Sequence, residues 1–198
     1  MSQLIEPTAK PLRADARRNR EKVLAAARKA FAEHGGEAQM DDVARRAKVG
    51  VGTVYRHFPT KEALLAALVF DTFGSIAERS RALLELEDPW EAFTTMLWDA
   101  GESLAGDRAL TEAMSVRVPM EQCPGQVEVG EIACELVRRA QAAGQMRPDV
   151  VVEDISMLMC GVGSATCRPH PYPDAWRRHL AILIDGLRAD AAGDTLPS

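Results

Sequence analysis

The run Val51-Gly52-Thr53-Val54-Tyr55-Arg56-His57-Phe58 holds the densest set of groups able to recognise another molecule. Val54 and Phe58 stand four residues apart, the spacing that puts two side chains on one face of a helix, so both can pack inward. That leaves Val51, Gly52, Thr53, Tyr55, Arg56 and His57 pointing outward near a helix N-terminus. Gly52 lets the backbone approach a surface closely. Thr53, Tyr55 and His57 can hydrogen-bond phosphate oxygens, and the guanidinium fork of Arg56 matches O6 and N7 of guanine. A short, small and polar face of this kind meets the requirements of a helix that enters the major groove of DNA.

Other chemistry is thinly supplied. Cys123, Cys134, Cys160 and Cys167 form no CxxC pair and no short metal-ligand spacing, so no disulfide framework is expected. The alternative function is a thiol-dependent helical enzyme with Cys123 or Cys134 as nucleophile, yet neither has an acid–base partner at an informative spacing. Cys160 and Cys167 lie seven apart on one helical face with His170 just beyond, an arrangement open to redox or metal sensing. Buried, inert thiols are the plainer reading. No catalytic site, metal or cofactor is therefore expected.

Charge points the same way as the motif. The chain of 198 residues carries a net charge of -5, unevenly divided. Residues 1–61 hold 13 Lys/Arg against 7 Asp/Glu, a net +6, whereas residues 62–198 hold 11 against 22, a net -11. A basic end attracts phosphates while an acidic body keeps the contact confined to that end. No stretch reaches the roughly 18 apolar residues of a membrane span, and the start lacks the apolar core of a signal peptide, so a cytoplasmic location with no membrane partner is the expectation.

The elements that must position the motif follow from apolar periodicity. Residues 1–12, with Pro7 and Pro11, read as a flexible tail. A first helix over Ala16–His34 carries Val23, Ala27, Ala30 and Phe31, with Asp15 as its cap, and stops at Gly35-Gly36. Met40, Val43, Ala44 and Ala47 define a second helix with Asp41 and Asp42 in its first turn. After Lys48-Val49-Gly50 only a tight turn separates it from the third, Val51–Phe58, which makes a helix-turn-helix. A fourth helix runs from Thr60-Lys61 to about Leu86, a fifth from Trp90 to Leu104, and a short sixth from Arg108 to Val116. Arg117–Gln126 reads as a loop. A seventh helix spans Val127–Ala143, an eighth about Val150–Cys167, and a ninth Asp174 to about Ala189. The ninth carries Trp176, Leu180, Leu183, Ile184 and Leu187 on one face. No strand-like alternation and no internal repeat stands out, so the fold class is all-α.

Val23-Leu24-Ala25-Ala26-Ala27 through Phe31 and Gly35, Asp42-Val43-Ala44, Val49 through Phe58, and Lys61-Glu62-Ala63-Leu64-Leu65 together resemble the DNA-binding domain of TetR-family regulators, over about residues 16–70. The resemblance implies a three-helix helix-turn-helix domain over residues 13–60, followed by a helical bundle over 61–198 that binds a small molecule and dimerises through its last two long helices. It implies backbone-holding roles for Tyr55, His57 and Lys61, and base contacts at Gln39, Met40, Val51, Gly52, Thr53 and Arg56. The implied partners are double-stranded operator DNA, a small-molecule effector and a second copy of the chain, and repression is the family's commonest mode.

Two residues depart from the family pattern. Lys48 stands where glycine is usual, and a lysine forced to φ > 0 costs about 1 kcal/mol. Gln39 replaces the usual serine or threonine cap, leaving Asp41 and Asp42 to compensate. In the bundle, Phe70, Phe73, Phe93, Met96, Met114, Met120 and Met157 could line a pocket for an apolar or amphipathic effector, with core packing as the simpler role for any one of them. Gly161, Gly163 and Ala165 would permit close approach of helices, either within one subunit or across a dimer.

Overall fold

The computed structural model describes residues 9–106, 123–166, 172, 174–191 and 193–196. Among them eight α-helices form: α1 (Ala9–His34), α2 (Met40–Ala47), α3 (Val51–His57), α4 (Lys61–Arg81), α5 (Pro89–Gly106), α6 (Pro124–Ala142), α7 (Val152–Thr166) and α8 (Ala175–Gly186). The sixth helix expected from sequence lies outside the described residues. The described residues contain no strand, only one isolated antiparallel bridge between Met146 and Arg188.

Several boundaries differ from expectation for identifiable reasons. α1 begins at Ala9, not Ala16, so Asp15 is an interior residue that pairs with Arg18 at 2.7 Å and does not cap the helix. α4 gives way after Arg81 to a 3-10 turn over Ala82–Glu85, short of Leu86. α6 opens at Pro124, inside the expected loop, because a proline in the first turn has no N–H to lose there. Residues 1–8 of the expected tail lie outside the described residues.

Two apolar cores organise the chain. The first is built from Val23, Ala27, Phe31, Val43, Val54, Phe58, Leu64 and Leu68 and their neighbours on α1 to α4, and defines an N-terminal head. It continues through Val69, past the expected boundary at residue 60, so the first half of α4 belongs to the head. The second joins Phe93, Met96, Leu136, Ile155, Val162, Leu180 and Ile184 on α5 to α8 with Met146 from the link between α6 and α7, and defines the body. Trp176, Leu180, Ile184 and Leu187 are buried within the subunit, so the apolar face of α8 is core in the single chain.

The body is closed by polar ties at its far end. Arg139 donates to the carbonyl of Leu84 at 2.7 Å, and Gln141 donates to those of Arg147 and Val150. Arg147, itself buried, grips Asp149 with two hydrogen bonds at 2.7 and 2.8 Å and reaches the carbonyl of Asp194. The Arg147 guanidinium first, and then the backbone N–H of Leu196, holds the carboxyl of Asp149 well below the usual carboxylate range. The link between α6 and α7 is thereby fastened to the C-terminal segment.

Candidate nucleic-acid interface

α2 and α3 are 8 and 7 residues long, too short to persist alone. They hold because their inward residues Met40, Val43, Ala44, Ala47 and Val54 are buried in the head core. Asp41 and Asp42 occupy the first turn of α2, and Gln39 is its cap residue without a capping side chain; its amide nitrogen instead donates to the carbonyl of Glu37 at 2.9 Å. The turn between the helices is a Schellman closure, with Val49 N–H bonded to Ala44 O at 3.1 Å and Lys48 N–H to Arg45 O at 3.3 Å. That closure needs a left-handed residue, and Lys48 supplies it at φ 57° and ψ 42°. Lys48 is the only non-glycine residue with positive φ among the described residues.

Val54 and Phe58 are buried, as their spacing requires, and the opposite side of α3 is open. Val51 is 43% exposed and Tyr55 47%, and Arg56 and Gly52 are exposed beside them. A Cβ built at Gly52 would meet nothing within 4 Å, so no internal contact explains glycine in this helix. Thr53 and His57 are half-buried at the edge of the same face, His57 tilted against Phe58 with ring centroids 6.2 Å apart.

Two expected contact residues sit differently. Met40 is buried in the head core at the start of α2, so its side chain is not presented to a groove; the periodicity that makes it core and the pattern that makes it a base contact select the same position. Lys61 is half-buried, its ammonium bonded to the Gly36 carbonyl and lying 5.5 Å from the centroid of Phe31. It closes α4 onto the end of α1. Thr60 caps α4, accepting from Ala63 N–H at 3.1 Å. The carboxyl of Glu62 is held below its ordinary value by its own backbone N–H first and by Thr60 second.

Long-range polar contacts that periodicity does not signal brace the head. Arg46 of α2 pairs with Glu33 of α1 and lowers the pKa of that carboxyl. Arg28 of α1 donates to Asp71 at 2.9 Å and to Thr72 Oγ1 at 3.0 Å, both on α4. Arg28 thus links the head to the helix that continues into the body.

The residues expected to line a pocket divide between the two cores. Phe70 and Phe73 of α4 are half-buried and pack with Leu104 of α5 against the head core, whereas Phe93 and Met96 are fully buried in the body core. Met157 is 70% exposed on α7 and lines no interior space of the subunit, because the outward side of that helix is itself apolar. Met114 and Met120 lie outside the described residues. The first turn of α6 presses on the middle of α4: a Cβ at Gly125 would stand 2.5 Å from the backbone nitrogen of Gly74. In the same turn, Gln126 Oε1 is shut off from solvent without a hydrogen-bond partner among the described residues.

The thiols do not assemble a site. Cys123 is buried at the start of α6, while Cys134 is exposed. Cys160 is also exposed, contrary to the buried thiol expected there, because it follows Met157 by three residues on the outward side of α7. Cys167 and His170 lie outside the described residues. No group of three or more His, Cys, Asp or Glu residues that could hold a metal occurs among the described residues, and none of their helices is long and apolar enough to cross a membrane.

An exposed second helix of a helix-turn-helix, set on a basic head ahead of a helical body, defines a DNA-binding regulator of the bacterial helix-turn-helix class. Residues 23–68 match the family described as bacterial regulatory proteins, tetR family, and residues 88–189 match the C-terminal domain described as transcriptional regulator SbtR-like. The chain belongs to the TetR family of transcriptional regulators.

It is 33% identical over 144 residues to the transcriptional repressor KstR of Mycolicibacterium smegmatis, covering 70% of this chain and 71% of that one. It is 27% identical over 195 residues to the transcriptional regulator UidR of Escherichia coli K12, covering 92% and 95%. Its fold is similar to the crystal structure of a TetR transcription regulatory protein from Mycobacterium vanbaalenii, with a TM-score of 0.63 and 39% identity over 90% of this chain and 99% of that one. These relatives are regulators; none of them supports thiol-dependent catalysis.

Proposed function

We propose that the protein is a dimeric repressor that reads a two-fold symmetric operator with α3 and releases it when a small apolar or amphipathic molecule binds between α4, α5 and α6. The observation that carries the reading is the outward face of α3, where Val51, Gly52, Tyr55 and Arg56 stand free while Val54 and Phe58 anchor the helix from behind. Arg56 reads guanine, Gly52 admits the groove wall, and Tyr55, Thr53 and His57 hold phosphates, with Val51 and Gln39 at the edge of the base-reading surface. Lys61 adds a phosphate contact once it swings from Gly36.

Dimerisation draws support from the outward side of α7 and α8, where Met157 is 70% and Ile182 59% exposed next to the small Gly161. Large exposed apolar side chains on adjacent helices are the mark of a surface that meets a partner. Two heads so joined would present their recognition helices one turn of DNA apart.

The effector reading draws support from Phe70 and Phe73, half-buried against the head core where Leu104 of α5 also packs, and from the enclosed oxygen of Gln126, which has no hydrogen-bond partner among the described residues. A buried acceptor without a donor is costly, by about 1–3 kcal/mol, and a hydroxyl or amine on an otherwise apolar ligand removes that cost. A ligand there would move α6 against α4 at the Gly125–Gly74 contact, and α4 carries the head. Affinity for the operator falls when the two heads no longer fit their half-sites together.

Selection of bound sequences from random DNA tests the reading. The expected product is a two-fold motif whose half-sites are centred about 10 bp apart; enrichment of no sequence over background contradicts it.

A further inference from the structure

We propose that Arg28 is a positioning residue for operator binding: its guanidinium fixes the turn of the head on α4, and through it a displacement of α6 at Gly125 reaches the recognition helix. The proposal deepens the reading above and rests on it.

α4 belongs to both parts of the molecule. Its Leu64, Leu65 and Leu68 are buried in the head core with Phe31 of α1, and the buried head-core residues end at Val69. Its last turn is tied to the body: Arg79 donates to Ser103 Oγ of α5 at 2.7 Å, and Arg81 donates twice to the carboxylate of Glu128 on α6, once at 2.8 Å. Gly74 lies between, where the first turn of α6 presses on α4 at Gly125. A push from α6 therefore meets α4 beyond the head core and before the body ties.

Arg28 of α1 grips α4 next to that point. Its Nη1 donates to Thr72 Oγ1 at 3.0 Å, and its Nη2 donates to Asp71 Oδ2 at 2.9 Å and to the Leu68 carbonyl at 3.4 Å. Leu68, Asp71 and Thr72 stand at i, i+3 and i+4, one face of a helix. Thr72 is buried, two residues before Gly74.

Holding α4 and orienting it are separate tasks. Apolar burial is non-directional, so the leucines keep α4 against the head without setting its rotation. A planar guanidinium bonded to neighbouring positions on one face does set it. The Arg28–Asp71 pair adds little stability, because the Asp71 side chain is 54% exposed and solvent screens the charges. Its service is geometric. Val23, Ala27 and Phe31 of α1 share one packed core with Val54 and Phe58 around α3, so what turns α1 turns the recognition helix.

A double-mutant cycle in the full chain tests this, with Gly125→Ala as the displacement of α6 and a duplex bearing the two-fold motif selected from random DNA as the probe. In the wild-type background Gly125→Ala should weaken binding roughly tenfold. In the Arg28→Met background, which keeps an apolar stem without the fork, the same substitution should change affinity by less than about twofold. The pair Asp71→Ala with Thr72→Val removes the grip from the α4 side and should uncouple the two sites in the same way. Arg28→Lys, able to hold Asp71 without the fork, should restore part of the coupling. On a duplex with a single half-site Gly125→Ala should make no difference, because one head needs no partner at a fixed distance.

Circular dichroism, thermal melting and sedimentation of each variant establish a folded dimer. If Gly125→Ala costs the same factor with and without Arg28, the apolar contact between α1 and α4 carries the displacement; the proposal is then overturned and the repressor reading stands. A loss that is equal on the single half-site and the full motif also overturns it, since damage to the head itself would be the cause. If Gly125→Ala leaves operator affinity unchanged in the wild-type background, the α6–α4 contact drops out of the coupling and Arg28 loses its role with it.

Discussion

Head and body close one helix each with the same backbone device, and the difference between the two closures is instructive. In the body, α6 ends on a Schellman closure with Gly144 at φ 68°, where the left-handed backbone carries no side-chain penalty. In the head, α2 ends on the same closure with Lys48 at φ 57°. The head also keeps Gly52 inside a helix where no neighbour needs it, and leaves α2 with a cap residue that does not cap. Each of these is a small local loss, and all three fall in the two short helices that face outward. The body spends its polar groups on ties such as Arg147–Asp149 and Arg139–Leu84 that hold helices together. The head is arranged around a surface, the body around its own packing.

The largest effect that can sharpen this contrast is expected from Phe58→Ala. It removes a buried aromatic ring behind α3 and should cost about 3–5 kcal/mol, releasing the recognition helix. Calorimetry should show the head melting early while the body transition stays near its original temperature; a uniform shift of one transition would mean that the two cores are not separable. Next comes Gly125→Ala. Its methyl group would strike the α4 backbone, and overpacking of this kind costs about 1–3 kcal/mol. Operator affinity should fall even though residue 125 is far from α3 in sequence; unchanged affinity would remove the α6–α4 contact from the coupling.

Asp149→Asn addresses the body's far end. A carboxyl whose pKa is depressed on folding contributes stability that is complete above its unfolded pKa of about 3.9 and is lost as pH falls through the folded value. The variant should therefore melt below wild type at pH 7, and the gap should narrow as the pH drops below about 4, with DNA affinity untouched at neutral pH. A gap independent of pH would show that the ion pair is not its source.

The smallest effects make the sharpest pair. Lys48→Gly relieves a left-handed lysine and Gly52→Ala removes a helical glycine, so each should stabilise the head by up to about 1 kcal/mol. Lys48→Gly should leave DNA affinity intact, whereas Gly52→Ala should weaken it. If both substitutions raise stability and neither affects binding, the outward face of α3 is not the reading surface.

The head was largely legible in the sequence because its information is local. Val54 and Phe58, the capping turn, Asp41 and Asp42 all act within one or two helical turns of themselves, and the helix boundaries of α2 and α3 follow from them. Met40 was the exception, since burial and base contact claim the same position and only the packed core decides between them. Lys61 on Phe31 and Gly36, Arg28 on Asp71, and Arg46 on Glu33 join residues that periodicity treats as unrelated surface. The start of α1 was missed because its first turns have no apolar stripe to announce them. In the body the apolar stripes do not state their own direction: Met157 and Cys160 face out, against expectation, whereas the face carrying Trp176, open in the sequence between subunit core and dimer contact, is core in the single chain, a choice made by which helices neighbour α7 and α8.

The central claim is that Arg56, on the free face of α3, reads a base. Selection from random DNA with wild type and with Arg56→Ala measures this directly. The expected result is the same two-fold motif in both, with the preference at one symmetry-related base pair relaxed in the variant by about 1–3 kcal/mol, or roughly 5- to 150-fold. A variant that enriches the identical motif with undiminished preference at every position would contradict the claim.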